Sequence, residues 1–111
     1  MENLHQAIKE EIKKYLEWRQ RDNLRRKEVF GLCLLQIKDK ECEICKSKEK
    51  ITVDHIIPID LIKMFGIEPD QEYWPENIRP LCQRCNWFKG RQIDFSHPST
   101  KPNLLKLLER I

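Results

Sequence analysis

Long apolar runs are missing from the chain, and no stretch approaches the roughly 18 apolar residues that a membrane-spanning helix needs. The first residues, MENLHQAIKE, also lack the charged and then apolar layout of a secretory signal peptide. Internal repeats and low-complexity linkers are absent from the sequence as well. These absences predict a protein of the reducing cytoplasm with no membrane partner, where disulfides are rare.

The chain is short for a large hydrophobic core. Its 111 residues fit one small domain, in which a structural metal would add stability. Charged residues make up 35% of the sequence and the net charge is +3, which permits a nucleic-acid partner without arguing for one. A basic cluster is either a solvated helix face or a phosphate-contacting arm: Arg19, Arg21, Arg25, Arg26 and Lys27.

Hydrophobic periodicity predicts a helical N-terminal part. Leu4, Ile8, Ile12 and Leu16 recur at helical spacing and indicate an amphipathic helix over residues 3–20 or longer. Either a second helix follows near residues 23–38, or one long helix bends there. The apolar stripe of the first helix could pair with a second copy of the chain.

The remainder predicts an α+β unit with short elements. Strands are expected at ITVDHIIPI and IRPLC, and helices at residues 60–65, QRCNWFKGRQ and LLKLLERI. Gly90 is expected to cap the second of these helices, and HPSTKPN to form a loop. We divide the chain into a helical extension (1–38), a central core (39–95) and a C-terminal loop with a short helix (96–111).

Four of the five cysteines form two C-x-x-C pairs, Cys42 with Cys45 and Cys82 with Cys85. Two such pairs can supply four thiolates to a closed tetrahedral zinc site. An iron–sulfur cluster and a redox dithiol are the alternatives. The fifth cysteine, Cys33 in GLCLLQ, is expected to be a buried apolar thiol.

A group of polar residues lies between and just after the cysteine pairs. Asp54 and His55 are expected at the end of a strand, Asn77 lies before IRPLC, and Asn86 follows Cys85 directly. Neighbours in a regular strand point to opposite faces, so Asp54 and His55 can share a site only where the strand twists or ends. The other histidines, His5 and His97, are expected to be hydrogen-bonded structural residues.

Taken in order, C-x-x-C, D-H-I-I-P and N-I-R-P-L-C-x-x-C-N-x-x-K-G resemble the HNH endonucleases. The resemblance covers about residues 40–91. It implies a ββα-metal core, here with a four-cysteine zinc site and an N-terminal helical extension. It also implies metal-dependent hydrolysis of phosphodiester bonds in DNA.

The resemblance implies a role for each matching residue. His55 matches the general base that deprotonates the attacking water, and Asn77 the residue that braces the loop and helps to orient the histidine. Asp54 and Asn86 match the ligands of a catalytic cation that stabilises the phosphoryl charge and the leaving 3′ oxygen. Many family members have His where this chain has Asn86. Two oxygen ligands favour Mg²⁺ or Mn²⁺ over Ni²⁺ or Zn²⁺.

Other residues leave alternatives open. Lys89 lies three residues after Asn86, so the two share a helix face, and Lys89 either contacts a backbone phosphate or is a surface lysine at the helix end. Arg79 and Arg84 either contact phosphate or are solvated. Trp87 and Phe88 are expected to pack in the core rather than stack on bases. A further metal ligand could come from a set of acidic residues that otherwise read as surface charges: Asp60, Glu68, Asp70, Glu72 and Glu76.

Three functions remain in competition at this point. The leading one is a metal-dependent DNA endonuclease, for which nicking and double-strand cleavage both stay open. One ββα site cuts one strand, so a monomer would nick, and a double-strand break needs two sites or two binding events. The first rival is a non-catalytic zinc-knuckle module that binds DNA or a protein. The second rival is a subunit of a larger phage-packaging or restriction system that docks through its N-terminal helix.

Overall fold

A two-stranded antiparallel sheet lies at the centre of the fold, in a computed structural model that describes residues 2–110. The strands are β1 (Ile51–His55) and β2 (Ile78–Cys82). The helices are α1 (Glu2–Ile37), α2 (Ile59–Met64), α3 (Gln83–Lys89) and α4 (Thr100–Leu108), and a short 3₁₀ helix (Pro75–Asn77) leads into β2. The predicted α+β class is confirmed. Within residues 2–110, none of the helices combines the length and apolar character needed to cross a membrane.

The N-terminal helix is continuous. α1 runs for 36 residues, so the alternative of two separate helices is wrong. Gly31 lies inside α1, where a glycine costs about 1 kcal/mol relative to alanine but does not end a helix that packing supports. The C-terminal part of α1 buries Val29, Cys33 and Ile37 beside Ile78 of β2. The prediction of a buried apolar thiol at Cys33 is therefore confirmed.

A second apolar cluster joins the loop after β1 to α2 and α4. Its buried members are Ile57, Ile62, Ile67 and Leu107. α4 begins at Thr100, so the prediction that the whole of HPSTKPN is a loop is wrong. Pro102 is accommodated in the first turn of α4, where a missing N–H has no acceptor within the helix anyway.

The central elements follow the predicted order. β1 and β2 lie where ITVDH and IRPLC were expected, and α3 follows β2 directly. Gly90 ends α3 with a φ of 55°, a conformation that residues with a side chain rarely adopt. This confirms its prediction as the cap. α3 therefore begins directly after Cys82 and ends at Lys89.

The C-terminal helix should contribute measurably to stability. We expect Leu107→Ala to lower the free energy of unfolding by about 2–5 kcal/mol, because Leu107 is only 1% exposed in the second apolar cluster. Leu105→Ala, at a position of α4 that is 52% exposed, is the matched control and should change it by about 0.5 kcal/mol or less. Urea denaturation followed by circular dichroism measures both, and equal effects would contradict this account of α4.

Candidate active site and zinc centre

The two C-x-x-C pairs meet in space. The first pair lies in the loop after α1, where the amide N–H of Lys46 donates to the carbonyl of Cys42 at 3.0 Å and closes a tight turn. The second pair spans the junction of β2 and α3, where the N–H of Cys85 donates to Cys82 Sγ at 3.4 Å. All four Sγ atoms lie within 4.8 Å of one another. Tetrahedral zinc, with Zn–S bonds of about 2.3 Å, separates its sulfurs by about 3.8 Å, so the cluster fits a zinc site.

The four thiols do not ionise alike. Burial opposes ionisation of Cys42, but hydrogen bonds from the backbones of Cys45, Cys82 and Ile44 outweigh it and lower the Cys42 pKa to about 6. The pKa of Cys85 is raised to about 12, chiefly by its thiol hydrogen bond with Cys82 and by burial. Four thiolates at this spacing therefore need a cation among them.

Asp54 is buried in β1 between two cations. It is 4% exposed and pairs across the sheet with Arg79, whose Nε donates to Asp54 Oδ2 at 2.8 Å. Lys89 Nζ donates to Asp54 Oδ1 at 2.9 Å and to the carbonyl oxygen of His55 at 2.7 Å. Each carboxylate oxygen of Asp54 thus already accepts a hydrogen bond from a positively charged side chain.

Arg79 is part of a wider charge network that extends from the buried sheet to partly exposed carboxylates. Its Nη1 lies 3.5 Å from Asp94 Oδ2 and 3.7 Å from Glu43 Oε2. Glu43 in turn lies 3.1 Å from His97 Nε2, which agrees with the expectation of a hydrogen-bonded structural role for His97. The side chain of Arg79 is only 3% exposed, so the alternative of a solvated Arg79 is wrong.

His55 is the last residue of β1, and it lines a cleft of about 320 Å³ together with Asp54, Asn86 and Lys89. The strand end therefore brings neighbouring residues to one cleft. Burial lowers the pKa of the His55 imidazole, and the negative charge of Asp54 only partly opposes this. The ring is consequently neutral near pH 7 and able to accept a proton.

Asn86 is fixed against the neighbouring strand. Its Nδ2 donates to Thr52 Oγ1 at 2.8 Å and to the carbonyl oxygen of Val53 at 3.2 Å. Since a carbonyl oxygen can only accept, these contacts assign the amide nitrogen to the strand side. The amide oxygen of Asn86 is the atom left for a ligand.

Asn77 ties the chain after β1 to the start of β2. Its Oδ1 accepts from the N–H of Ile57 at 2.8 Å and its Nδ2 donates to the carbonyl of the same residue at 3.1 Å. The side chain is fully buried, and Asn103 of α4 donates to the same Oδ1 at 3.0 Å. The two hydrogen bonds between the Asn77 side chain and Ile57 fix the backbone just after His55.

The remaining candidates divide between the cleft and other surfaces. Asp60 lines the cleft and lies 3.2 Å from Arg91. Glu72 and Glu76 line a second cavity of about 240 Å³, which His55 and Asn77 also line. Asp70 pairs with Arg26 of α1. Among the acidic residues named from the sequence, Asp60 is therefore the one that lines the cleft. In the basic cluster of α1, Arg26 forms ion pairs with carboxylates of the chain itself.

The aromatic pair of α3 faces solvent. Trp87 is 78% exposed and Phe88 66% exposed, so the prediction that they pack in the core is wrong. α3 turns Asn86 and Lys89 toward the sheet, and residues 87 and 88 therefore lie on other faces of the helix. The exposed Arg84 places its guanidinium 5.7 Å from the ring centroid of Phe88, and it is not among the residues that line the cleft.

Three residues that hold the site in place were not singled out as such. Arg79 anchors Asp54, Thr52 anchors Asn86 and Asn103 anchors Asn77. The register of the two predicted strands could have pointed to Arg79, because it lies opposite Asp54 once the strands are paired. No local pattern marks Asn103, whose partner is 26 positions away in the chain.

Residues 42–92 match the family model described as HNH endonuclease. The chain contains an HNH domain. No curated protein and no solved structure matches the chain. The match spans both cysteine pairs and every residue of the cleft named above, and the cysteine cluster fits the zinc-binding subtype of the HNH family.

The HNH family also implies a catalytic divalent cation, and the donors of the cleft fit one. The carboxylate of Asp54 and the amide oxygen of Asn86 are hard oxygen ligands suited to Mg²⁺ or Mn²⁺. The charge of Asp54 is already balanced by Lys89 and Arg79. The donor types therefore suit such a cation, while both oxygens of the Asp54 carboxylate already accept a hydrogen bond from a basic side chain.

Zinc in this HNH domain should be stoichiometric and required for folding. We expect one zinc per chain by elemental analysis, and Cys85→Ser should lose the metal together with the folded signal in circular dichroism. Cys33→Ala is the control, because Cys33 packs beside Ile78 rather than in the cluster, and it should keep its zinc. A Cys85→Ser protein that stays folded without metal would overturn the structural role.

Proposed function

We propose that the protein is a metal-dependent endonuclease that hydrolyses phosphodiester bonds in DNA. The observation that carries the proposal is the convergence of Asp54, His55 and Asn86 on one cleft within the HNH domain. A structural zinc module has no need of a proton acceptor beside a carboxylate and an amide. Their shared position supports hydrolytic chemistry.

His55 is the general base. Its neutral imidazole takes a proton from a water molecule while the water oxygen forms a bond to phosphorus. The bond between phosphorus and the 3′ oxygen breaks, and the products are a 5′-phosphate and a 3′-hydroxyl once the leaving oxygen gains a proton. Asn77 holds the backbone after His55 through Ile57, and so limits the positions that the base can take.

Asp54 and Asn86 are the residues that would hold Mg²⁺ or Mn²⁺. When bound there, the cation supplies positive charge to the phosphoryl oxygens and to the leaving 3′ oxygen. Arg79 fixes the orientation of Asp54, and Thr52 fixes that of Asn86. The two ligands are thereby oriented before any cation arrives.

Contacts to the DNA backbone are proposed for Arg84 and Lys89. Arg84 is exposed on α3, the helix that also carries Asn86 and Lys89. Lys89 has two of its three N–H donors engaged by Asp54 and the His55 carbonyl, so in this arrangement one donor remains for a phosphate oxygen.

A cytoplasmic location also stays a prediction.

The first half of α1 supports the prediction of a protein partner. Its apolar residues are each at least half exposed: Leu4, Ile8, Ile12, Tyr15, Leu16 and Trp18. Val29, Cys33 and Ile37 continue the same helical spacing into the core. A second copy of the chain, or a larger nuclease or packaging assembly, is the predicted partner, and light scattering of the purified protein tests the first.

A non-catalytic zinc module remains the second candidate. The observation that favours it is the double ion pair of Asp54, which also suits a purely structural carboxylate. Supercoiled plasmid incubated with Mg²⁺, Mn²⁺, Ni²⁺ or Zn²⁺ separates the two functions. The nuclease nicks with Mg²⁺ or Mn²⁺, whereas a wild-type protein that binds the plasmid but cuts with none of these cations is the binding module.

Removal of the general base should abolish cutting without unfolding the domain. We expect His55→Ala to reduce the nicking rate by about 10²–10⁴-fold, while zinc content and DNA affinity stay unchanged. His5→Ala, on the exposed part of α1, is the matched control and should cut at the wild-type rate. Undiminished cutting by the His55 variant would remove His55 from the mechanism.

The pH dependence should follow the lowered pKa of His55. The base works only when neutral, so the rate should fall as the pH drops through that pKa and the ring becomes protonated. Because burial lowers the pKa from 6.5, we expect the midpoint of the acidic limb to lie below pH 6.5. Initial nicking rates at saturating Mn²⁺ measure this, and a midpoint above pH 6.5 would contradict the assignment.

A further inference from the structure

Lys89 occupies an unusual place for a lysine. Its side chain is only 7% exposed, although lysine is among the residues least often buried. The ammonium contacts the carboxylate of Asp54 at 2.9 Å and a backbone carbonyl at 2.7 Å. Lys89 thus acts as a cation on Asp54 Oδ1, within the cleft that Asn86 also lines.

The two cations on Asp54 are not equivalent. Arg79 is shared with Asp94 and Glu43, so three carboxylates hold its planar guanidinium in the sheet. The only carboxylate paired with Lys89 within residues 2–110 is Asp54. Lys89 is also the last residue of α3, on a flexible four-carbon stem. Lys89 is therefore the partner that can leave.

Charge repulsion favours its departure. Asp54, Arg79 and Lys89 are the deeply buried members of the group, and together they carry one net positive charge. Asp94 and Glu43 also lie near Arg79, but their side chains are 30% and 40% exposed, so solvent screens their charges. A divalent cation bound to Asp54 beside both basic residues would add to this buried positive charge, and uncompensated buried charge is costly. Release of Lys89 into solvent would remove one of the positive charges.

We propose that Lys89 is an internal cation that competes with a divalent metal ion for Asp54 Oδ1 and must withdraw before the metal ion binds. The proposal rests on the endonuclease function argued above, since it concerns the metal ligand of that site. It makes Lys89 a positioning residue that holds the Asp54 carboxylate in one orientation in the metal-free protein. The departing ammonium becomes free to contact a DNA phosphate.

The test is metal binding without DNA. Zinc-loaded wild-type protein and Lys89→Met are titrated with Mn²⁺ by isothermal titration calorimetry. Removing the competing cation should tighten Mn²⁺ binding by about tenfold or more. Lys63→Met makes the same charge change at an exposed position of α2, and it should alter the affinity by about twofold or less.

Each outcome separates this proposal from the function that it extends. Equal or weaker Mn²⁺ binding by Lys89→Met would overturn the competition and leave the endonuclease intact, because plasmid nicking by the wild type is measured separately. If neither protein binds Mn²⁺, both the competition and the metal ligands are wrong.

A second measurement on the wild type covers the case in which Lys89→Met does not fold. Lysines are labelled with an amine-reactive ester and quantified by mass spectrometry, with Lys63 as the internal reference. Lys89 should react slowly in the metal-free protein and several-fold faster with saturating Mn²⁺, as its ammonium enters solvent. Reactivity of Lys89 that Mn²⁺ leaves unchanged would overturn the proposal.

Discussion

Four thiols within 4.8 Å of one another hold this small fold together. A two-stranded sheet is marginal by itself in water. The apolar cluster between α1 and the sheet is small, and the cluster of α4 lies against α2 and the loop after β1 rather than on the strands. The cysteine cluster joins the loop after α1 to the junction of β2 and α3. Because Cys82 caps α3 and Cys85 lies in its first turn, the same cluster fixes the start of the helix that carries Asn86. The zinc centre thereby determines where the cleft can form.

The buried charges form the second constraint on the site. Asp54 and Arg79 are opposite one another in the sheet, and Lys89 reaches the same carboxylate from α3. Three elements therefore converge on one side chain that is 4% exposed. Burial of a charged side chain is costly unless it is paired, and Arg79 and Lys89 provide that pairing for Asp54. In the proposed nuclease the same two contacts orient the carboxylate toward the cleft, and a metal ion would have to replace the contact from Lys89.

Much of the central core follows from local sequence. The strands, the cap at Gly90 and the two cysteine pairs are set by short-range chemistry and were expected from it. The errors occur where tertiary packing overrides a local pattern. Trp87 and Phe88 are apolar but exposed, because the inner face of α3 is occupied by Asn86, Lys89 and a zinc ligand. Gly31 lies inside α1 because the packing of that helix outweighs the low helix propensity of glycine. Pro102 lies inside α4 because the first turn of a helix accommodates a residue without an N–H.

The sequence by itself determined the chemistry that is available. Two C-x-x-C pairs, a D-H pair and two asparagines in a characteristic order identify a zinc-binding HNH domain. Only the tertiary structure decided which charges meet. Lys89 and Asp54 are 35 positions apart, and their contact depends on the register of β1 with β2 and on the direction of α3. Residue type and spacing carry no information on that distance, because it is set by how separate elements pack.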